Sequence, residues 1–197
     1  MATPAGAAEP LLCILLLPEP LERFALREHA EDLLRAEGVV AVDPPRLPYA
    51  ALGRMPELAA DALAARQARR LVRALVRRRG RPRIVVAFAA LQYPLARAVL
   101  AAAGEDCELW YGRMTREEAA PTLGAALRER LERLHELAAR RATLTFVTSE
   151  ELARQEALAG RRAVLVPPAD GARAARTADE PLWQRLASTG IDVRVTR

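Results

Sequence analysis

The chain has no lysine and no asparagine, and all thirty of its basic residues are arginine. Ala, Arg, Leu and Pro dominate the composition, which looks like a genome-wide coding bias rather than a functional selection, and this weakens any argument from arginine number alone. Against 25 acidic residues the net charge is a modest +5, so basicity points to no nucleic-acid partner. Cysteine is scarce. Cys13 and Cys107 both sit in apolar, strand-like runs where a thiol behaves as a small hydrophobe, and two cysteines without metal-like spacing argue against a disulfide framework and against zinc. Long apolar runs are missing too. The stretch 11–17 is seven residues long, follows Glu9 with no basic segment before it, and runs into Pro-Glu-Pro, so it fits neither a signal peptide nor a membrane span. These absences imply a cytoplasmic chain in a reducing compartment, with no metal and no cofactor.

What is present is alternation. Residues 141–170, RATLTFVTSEELARQEALAGRRAVLVPPAD, read as strand, helix, strand and stop. Thr143 to Val147 is β-branched and aromatic, Thr148 or Ser149 can cap a helix whose first turn carries Glu150 and Glu151, Gly160 ends it, and Pro167-Pro168 closes the strand 162–166. The same pattern runs upstream, with strands expected near 11–17, 39–42, 83–89 and 107–111 and helices over 21–37, 58–79, 93–103 and 122–141. There is no shorter internal repeat. The expected fold is α/β, a Rossmann-like doubly wound parallel sheet in three α/β/α layers forming a single domain. A chain of 197 residues suits this, burying roughly 70% of its extended surface. Residues 1–10 are expected to form a flexible arm, 11–170 the domain, and 171–197 a hinge and tail that could hold a short helix near 182–187 and a strand near 191–196.

Open parallel sheets bind ligands beyond the carboxyl ends of their strands, so the turns there hold the candidate site residues. After the first strand the turn is Pro18-Glu19-Pro20, with no glycine and with an acid, which argues against a dinucleotide site. Glu19 and Arg23 lie at that edge either as ligand contacts or as an incidental pair in a solvated loop. Gln92 and Tyr93 follow the third strand. In the proline-rich loop 43–57, Arg46, Tyr49 and Arg54 either line a ligand mouth or belong to a plain connection. Helix 58–79 puts Ala64, Ala68, Leu71 and Leu75 on one side and Arg66, Arg69, Arg70, Arg73 and Arg77 opposite. That arginine face is either simply solvated or, with Arg78, Arg79, Arg81 and Arg83, laid against anionic lipid head groups. His29 and His135 have no ligand-spaced partners and read as satisfied surface or boundary histidines.

The segment RATLTFVTSEELARQEA resembles the one that precedes the hinge in the N-terminal domain of GT-B glycosyltransferases of the subfamily-4-like group, and RRAVLVPPAD is similar to that group's last strand and hinge. The similarity extends over about 11–170 as an order of elements. It implies an acceptor-side domain in which Glu19, Arg23, Gln92, Tyr93, Tyr111, Arg113 and Ser149 contact a glycan or lipid-linked acceptor. The nucleotide-sugar donor would be held by a second domain that residues 171–197 are too short to supply, on a partner chain or a homo-oligomer. Some positions depart from the family pattern. Thr143 stands where Asp is usual, Pro168-Ala169 replace Asn-Gly, Gly112-Arg113 replace a frequent acid, and the first turn lacks its glycines. The expectation from a different class is a non-catalytic module that meets an anionic membrane, peripherally at its inner face, or a partner subunit through the arginine helix. Nucleic acid is not expected, because no aromatics interleave the arginines.

Overall fold

The runs of leucine and β-branched residues form six strands: β1 Leu12–Leu16, β2 Val39–Val42, β3 Pro82–Ala87, β4 Glu108–Arg113, β5 Leu144–Val147 and β6 Ala163–Leu165. Among the described residues five helices connect them: α1 Arg27–Leu34, α2 Glu57–Arg79, α3 Tyr93–Ala103, α4 Ala125–Arg141 and α5 Glu150–Leu158. The structure is a computed structural model that describes residues 12–24, 26–35, 38–44, 51, 54–114 and 124–166. The arm 1–10, Arg46 and Tyr49, the helix start at Thr122 and everything from Pro167 onward lie outside those residues, so the expectations made for them do too.

All five strand pairs are parallel, in the order β2-β1-β3-β4-β5-β6. The chain winds outward from β1 to β2, then returns over β1 to β3 and continues the other way. A right-handed crossover must change faces when the winding direction changes, and the core follows that rule. On one face Leu12, Ile14 and Leu16 of β1 pack with Ala64, Ala68 and Val72 of α2, Val99 and Leu100 of α3 and Leu131 and Leu134 of α4. On the other face Cys13, Leu15, Ile84, Val86, Trp110 and Phe146 meet Phe24, Leu26, Ala30 and Leu33, from α1 and the segment leading into it. The result is a three-layer, Rossmann-like α/β domain with unequal layers, since α1 is the one described helix on its side. Every residue of β1 is buried, and each such leucine or isoleucine stabilises the fold by about 2 kcal/mol relative to exposure.

The first helix is shorter than its sequence pattern predicts. Leu21–Arg23 makes a single 3-10 turn, Phe24 is extended at φ −73° and ψ 127°, and α1 begins only at Arg27. The cause is tertiary: Phe24 is drawn into the core edge-on against Phe88, with ring centroids 4.9 Å apart, and a continuous helix would not place it there. Two of the predicted helix stops hold. Gly104 and Gly160 follow α3 and α5 at φ 111° and φ 72°, a region that side chains with a Cβ rarely adopt.

The histidines differ from their expected surface or boundary placement: His29 and His135 are both buried. Both cysteines are buried and free, and burial pushes each thiol up to about 12. Neither is therefore expected to react with a thiol reagent at neutral pH until the chain is unfolded, when both should. Rapid labelling of the folded protein would show that the sheet opens locally at β1 or at the entry to β4.

Candidate functional site

The winding reverses between β1 and β3, and at that point an open α/β sheet leaves a crevice beyond its strand ends. Here a single side chain bridges the two strand ends. Gln92, fully buried just after β3, accepts from the backbone amides of Phe88 (2.6 Å) and Ala89 (3.0 Å) through Oε1. Its Nε2 donates to the carbonyl of Leu16 (2.6 Å) at the end of β1. One side chain thus satisfies three backbone groups that a bound ligand would otherwise meet. Gln92→Ala is expected to cost about 2 kcal/mol through those lost bonds, visible as a lower urea midpoint and faster amide exchange at Phe88 and Ala89. An unchanged midpoint would mean that water replaces the side chain there.

The other residues expected at this edge are distributed between surface and interior. Glu19 is half-buried in the turn after β1 and Arg23 is exposed at the end of the 3-10 turn. Ser149 is exposed, and its Oγ accepts from the amide of Leu152 at 3.3 Å, which makes it the N-cap of α5. Beside it Thr148 Oγ1 donates to the Met114 carbonyl at 2.8 Å, tying the end of β5 to the end of β4. Arg54 is exposed just before α2. Tyr93 is buried in the core beneath α3, and Tyr111 and Arg113 are buried as well.

Tyr111 and Arg113 come together in a network that no motif in the sequence announces. Two residues apart on β4, they share the face covered by α4 and α5. Fully buried Glu156 of α5 is the centre: Arg113 Nη1 donates to its Oε1 at 2.9 Å, Arg161 Nε to its Oε2 at 2.6 Å, and His135 Nε2 stands 3.0 Å from Oε1. The other ring nitrogen of His135, Nδ1, is 3.1 Å from the Tyr111 hydroxyl. Arg161 Nη1 reaches both carboxylate oxygens of Glu136 at 3.0 Å, so two guanidiniums meet two carboxylates. Burial alone would raise the pKa of Glu156. Hydrogen bonds from His135 and Arg161, together with their charge, outweigh it and hold the carboxyl at about 2.

A tyrosine, a histidine and a carboxylate in line can hold a proton at a defined atom. With Tyr111 only 1% exposed, however, no substrate reaches its hydroxyl. The chemistry of the cluster is therefore cohesion, fastening α4 and α5 to β4. The sequence did carry a signal for it. Glu156 lies one helical turn after Leu152 on the buried side of α5, and Arg113 continues the inward row of Leu109 and Tyr111, so a carboxylate and a guanidinium both occupy core-facing positions.

A second assembly of charge lies on α2. Arg66, Arg69, Arg70, Arg73 and Arg77 are all exposed, as their phase predicts, with Ala64, Ala68, Val72 and Leu75 buried beneath. The acids of α2 lie at its start and point to neighbouring helices, Asp61 pairing with Arg97 of α3 at 2.8 Å and Glu57 pairing with Arg133 of α4. Among the described residues no group of three metal-ligating side chains gathers, and no helix is long and apolar enough to cross a membrane.

Comparison with protein-family models, with curated proteins and with solved structures finds no match to this chain.

Proposed function

We propose that the chain is the acceptor-side domain of a glycosyltransferase resembling the N-terminal half of the GT-B subfamily-4-like group, a cytoplasmic protein in which the donor sugar is bound by a domain outside these residues. The observation that supports it is the course of 144–166. Strand β5, a serine-capped α5 and β6 as the outermost strand lead towards Pro167-Pro168 in the order that the resemblance requires of the last unit before a hinge.

The fold limits which groups can serve an acceptor. Glu19, Arg23 and Ser149 keep atoms at the carboxyl edge of the sheet. Glu19 can accept hydrogen bonds from sugar hydroxyls, Arg23 can pair with a phosphate or carboxylate, and Ser149 can do either weakly while it caps α5. Gln92, Tyr93, Tyr111 and Arg113 act from beneath, by holding the edge in shape. Thr143, at the family's usual Asp, spends its hydroxyl on Glu108 and the Leu109 carbonyl. The charge that develops on the departing nucleotide is stabilised on the donor side, so this domain contributes acceptor placement and exclusion of water.

The chain alone is then expected to bind an oligosaccharide or lipid-linked sugar and to turn over no nucleotide-sugar. Glu19→Gln and Arg23→Ala are each expected to weaken acceptor binding by about tenfold, roughly the value of one charge-assisted hydrogen bond. Nuclear magnetic resonance titrations with acceptor analogues and with nucleotide-sugars test this. Transfer or hydrolysis by the isolated chain, or acceptor-induced shifts confined to regions away from Glu19, Arg23 and Ser149, would overturn it. Salt-sensitive anion binding with no sugar binding would favour the non-catalytic module instead.

A further inference from the structure

We propose that the outer face of α2 is a docking surface for an anionic phospholipid bilayer. This inference rests on the helix alone and is independent of the transferase reading.

At 100° per residue the five exposed arginines of α2 fall within an arc of about 100° and run for about 16 Å along the axis. From Ala62 to Arg79 the helix contains no acid at all. Arginine-rich composition does not explain that. Helix α4 is also rich in arginine, yet it interleaves Glu129, Glu132 and Glu136, and Glu136 is in ion pairs with Arg140 and Arg161. In α2 the two acids are withdrawn to the first turns and engaged by Arg97 and Arg133, which fixes the helix to its neighbours and leaves the arginine face without a counter-charge among the described residues. Aligned like charges repel at i,i+4 spacing, so the free face is strained in the direction an anionic surface relieves.

The shape and flanks of the stripe favour lipid as that surface. Leu58 and Val76, two of the large apolar side chains left exposed, at 87% and 43%, are five helical turns apart and therefore lie on one line beside the arginines. Exposed Ala62 lies within the arginine arc, one turn before Arg66. A convex ridge with guanidiniums along its crest and an apolar shoulder suits a helix lying in a membrane interface, with arginine stems buried and heads at the phosphates. Nucleic acid would favour a groove and stacking aromatics, and α2 has no aromatic residue. Five charges at a surface rich in anionic lipid should together raise partitioning by on the order of a thousand-fold.

The test is flotation of the full chain with vesicles of phosphatidylcholine alone or with about a third phosphatidylglycerol, at about 0.1 M and about 0.5 M salt, between which the Debye length shortens by about half. Binding is expected on the anionic vesicles at low salt, strongly reduced at high salt, and absent on phosphatidylcholine. The triple variant Arg66→Glu, Arg70→Glu, Arg73→Glu is expected to lose more than a hundredfold in partitioning with its helical circular dichroism unchanged. The variant Arg140→Glu, Arg154→Glu, Arg162→Glu makes the same change in net charge away from α2 and is expected to lose little. Equal loss in both variants would overturn the proposal in favour of net charge. Absence of vesicle binding would overturn it too, whether or not the protein then binds a single-stranded oligonucleotide through the same arginines.

Discussion

Replacing Glu156 with alanine is expected to destabilise the protein by about 3–5 kcal/mol, because a buried anion is removed and its cations stay behind. Arg113 would lose the acceptor 2.9 Å away and Arg161 the one at 2.6 Å, and of the two carboxylates described in this network Glu136, on its outer side, would remain. Glu136 already binds Arg161 through both oxygens. Glu156→Gln should cost less than Glu156→Ala, since an amide oxygen can still accept from one guanidinium while its NH2 group faces the other. Urea denaturation of both variants measures the difference. A loss below about 1 kcal/mol for alanine would mean that water enters and solvates the arginines, and that the network contributes little.

The same carboxylate makes stability depend on pH in a defined window. Held at about 2 in the folded protein against an ordinary 4.5, Glu156 binds its proton more readily when unfolded. Its contribution is therefore complete above about pH 4.5 and is lost as the pH falls towards about 2. Each tenfold difference in proton affinity between the folded and unfolded chain is worth about 1.4 kcal/mol, so the carboxylate contributes about 3 kcal/mol. Glu156→Gln has no carboxyl to titrate at this position, so its stability should decline less steeply across that window than the parent's, and parallel curves would assign the acid sensitivity to other groups.

How far the fold was legible depends on which forces place each residue. Strands β1, β3 and β4 were readable because burial on both faces demands continuous apolar runs, and α2 was readable because one side of it is alanine and leucine and the other arginine. The break at Phe24 was not readable. Local periodicity favours a helix from Leu21, and only the position of Phe88, 64 residues later, pulls Phe24 out of it. The edge residues show a different limit. Placement at the carboxyl end of a strand suggests ligand contact, yet pleat alternation puts Tyr111 and Arg113 on the side that α4 and α5 cover, and a glutamine just past a strand can fold back to cap it, as Gln92 does. Glu156 was hidden among 25 acids. Nothing in composition separates it from acids that are solvated, and its partners come from β4, α4 and the turn after α5. What remains accessible at the sheet edge, half-buried Glu19 with exposed Arg23 and Ser149, is a sparser set than the seven residues expected.

Gly112→Val is expected to be among the most damaging single substitutions on the sheet, at least about 3 kcal/mol, because it overpacks a site with no room to give. Gly112 pairs with Phe146 across β4 and β5, and a Cβ built on it would penetrate the Phe146 ring at Cε2 and Cζ. The ring cannot retreat. It is fully buried and edge-on to Phe88 at 5.7 Å, and Phe88 is in turn braced by Phe24 at 4.9 Å. The aromatic row that broke the first helix therefore also dictates a glycine two strands away. Gly112→Ala should show the same effect in smaller degree, and Phe146→Leu should partly relieve it, so the double variant Gly112→Ala, Phe146→Leu is expected to be more stable than the sum of the two single losses. Denaturation midpoints of the four proteins in that cycle measure the coupling. Strict additivity would mean that the backbone of β4 shifts to make space, and that the glycine is not required by the ring.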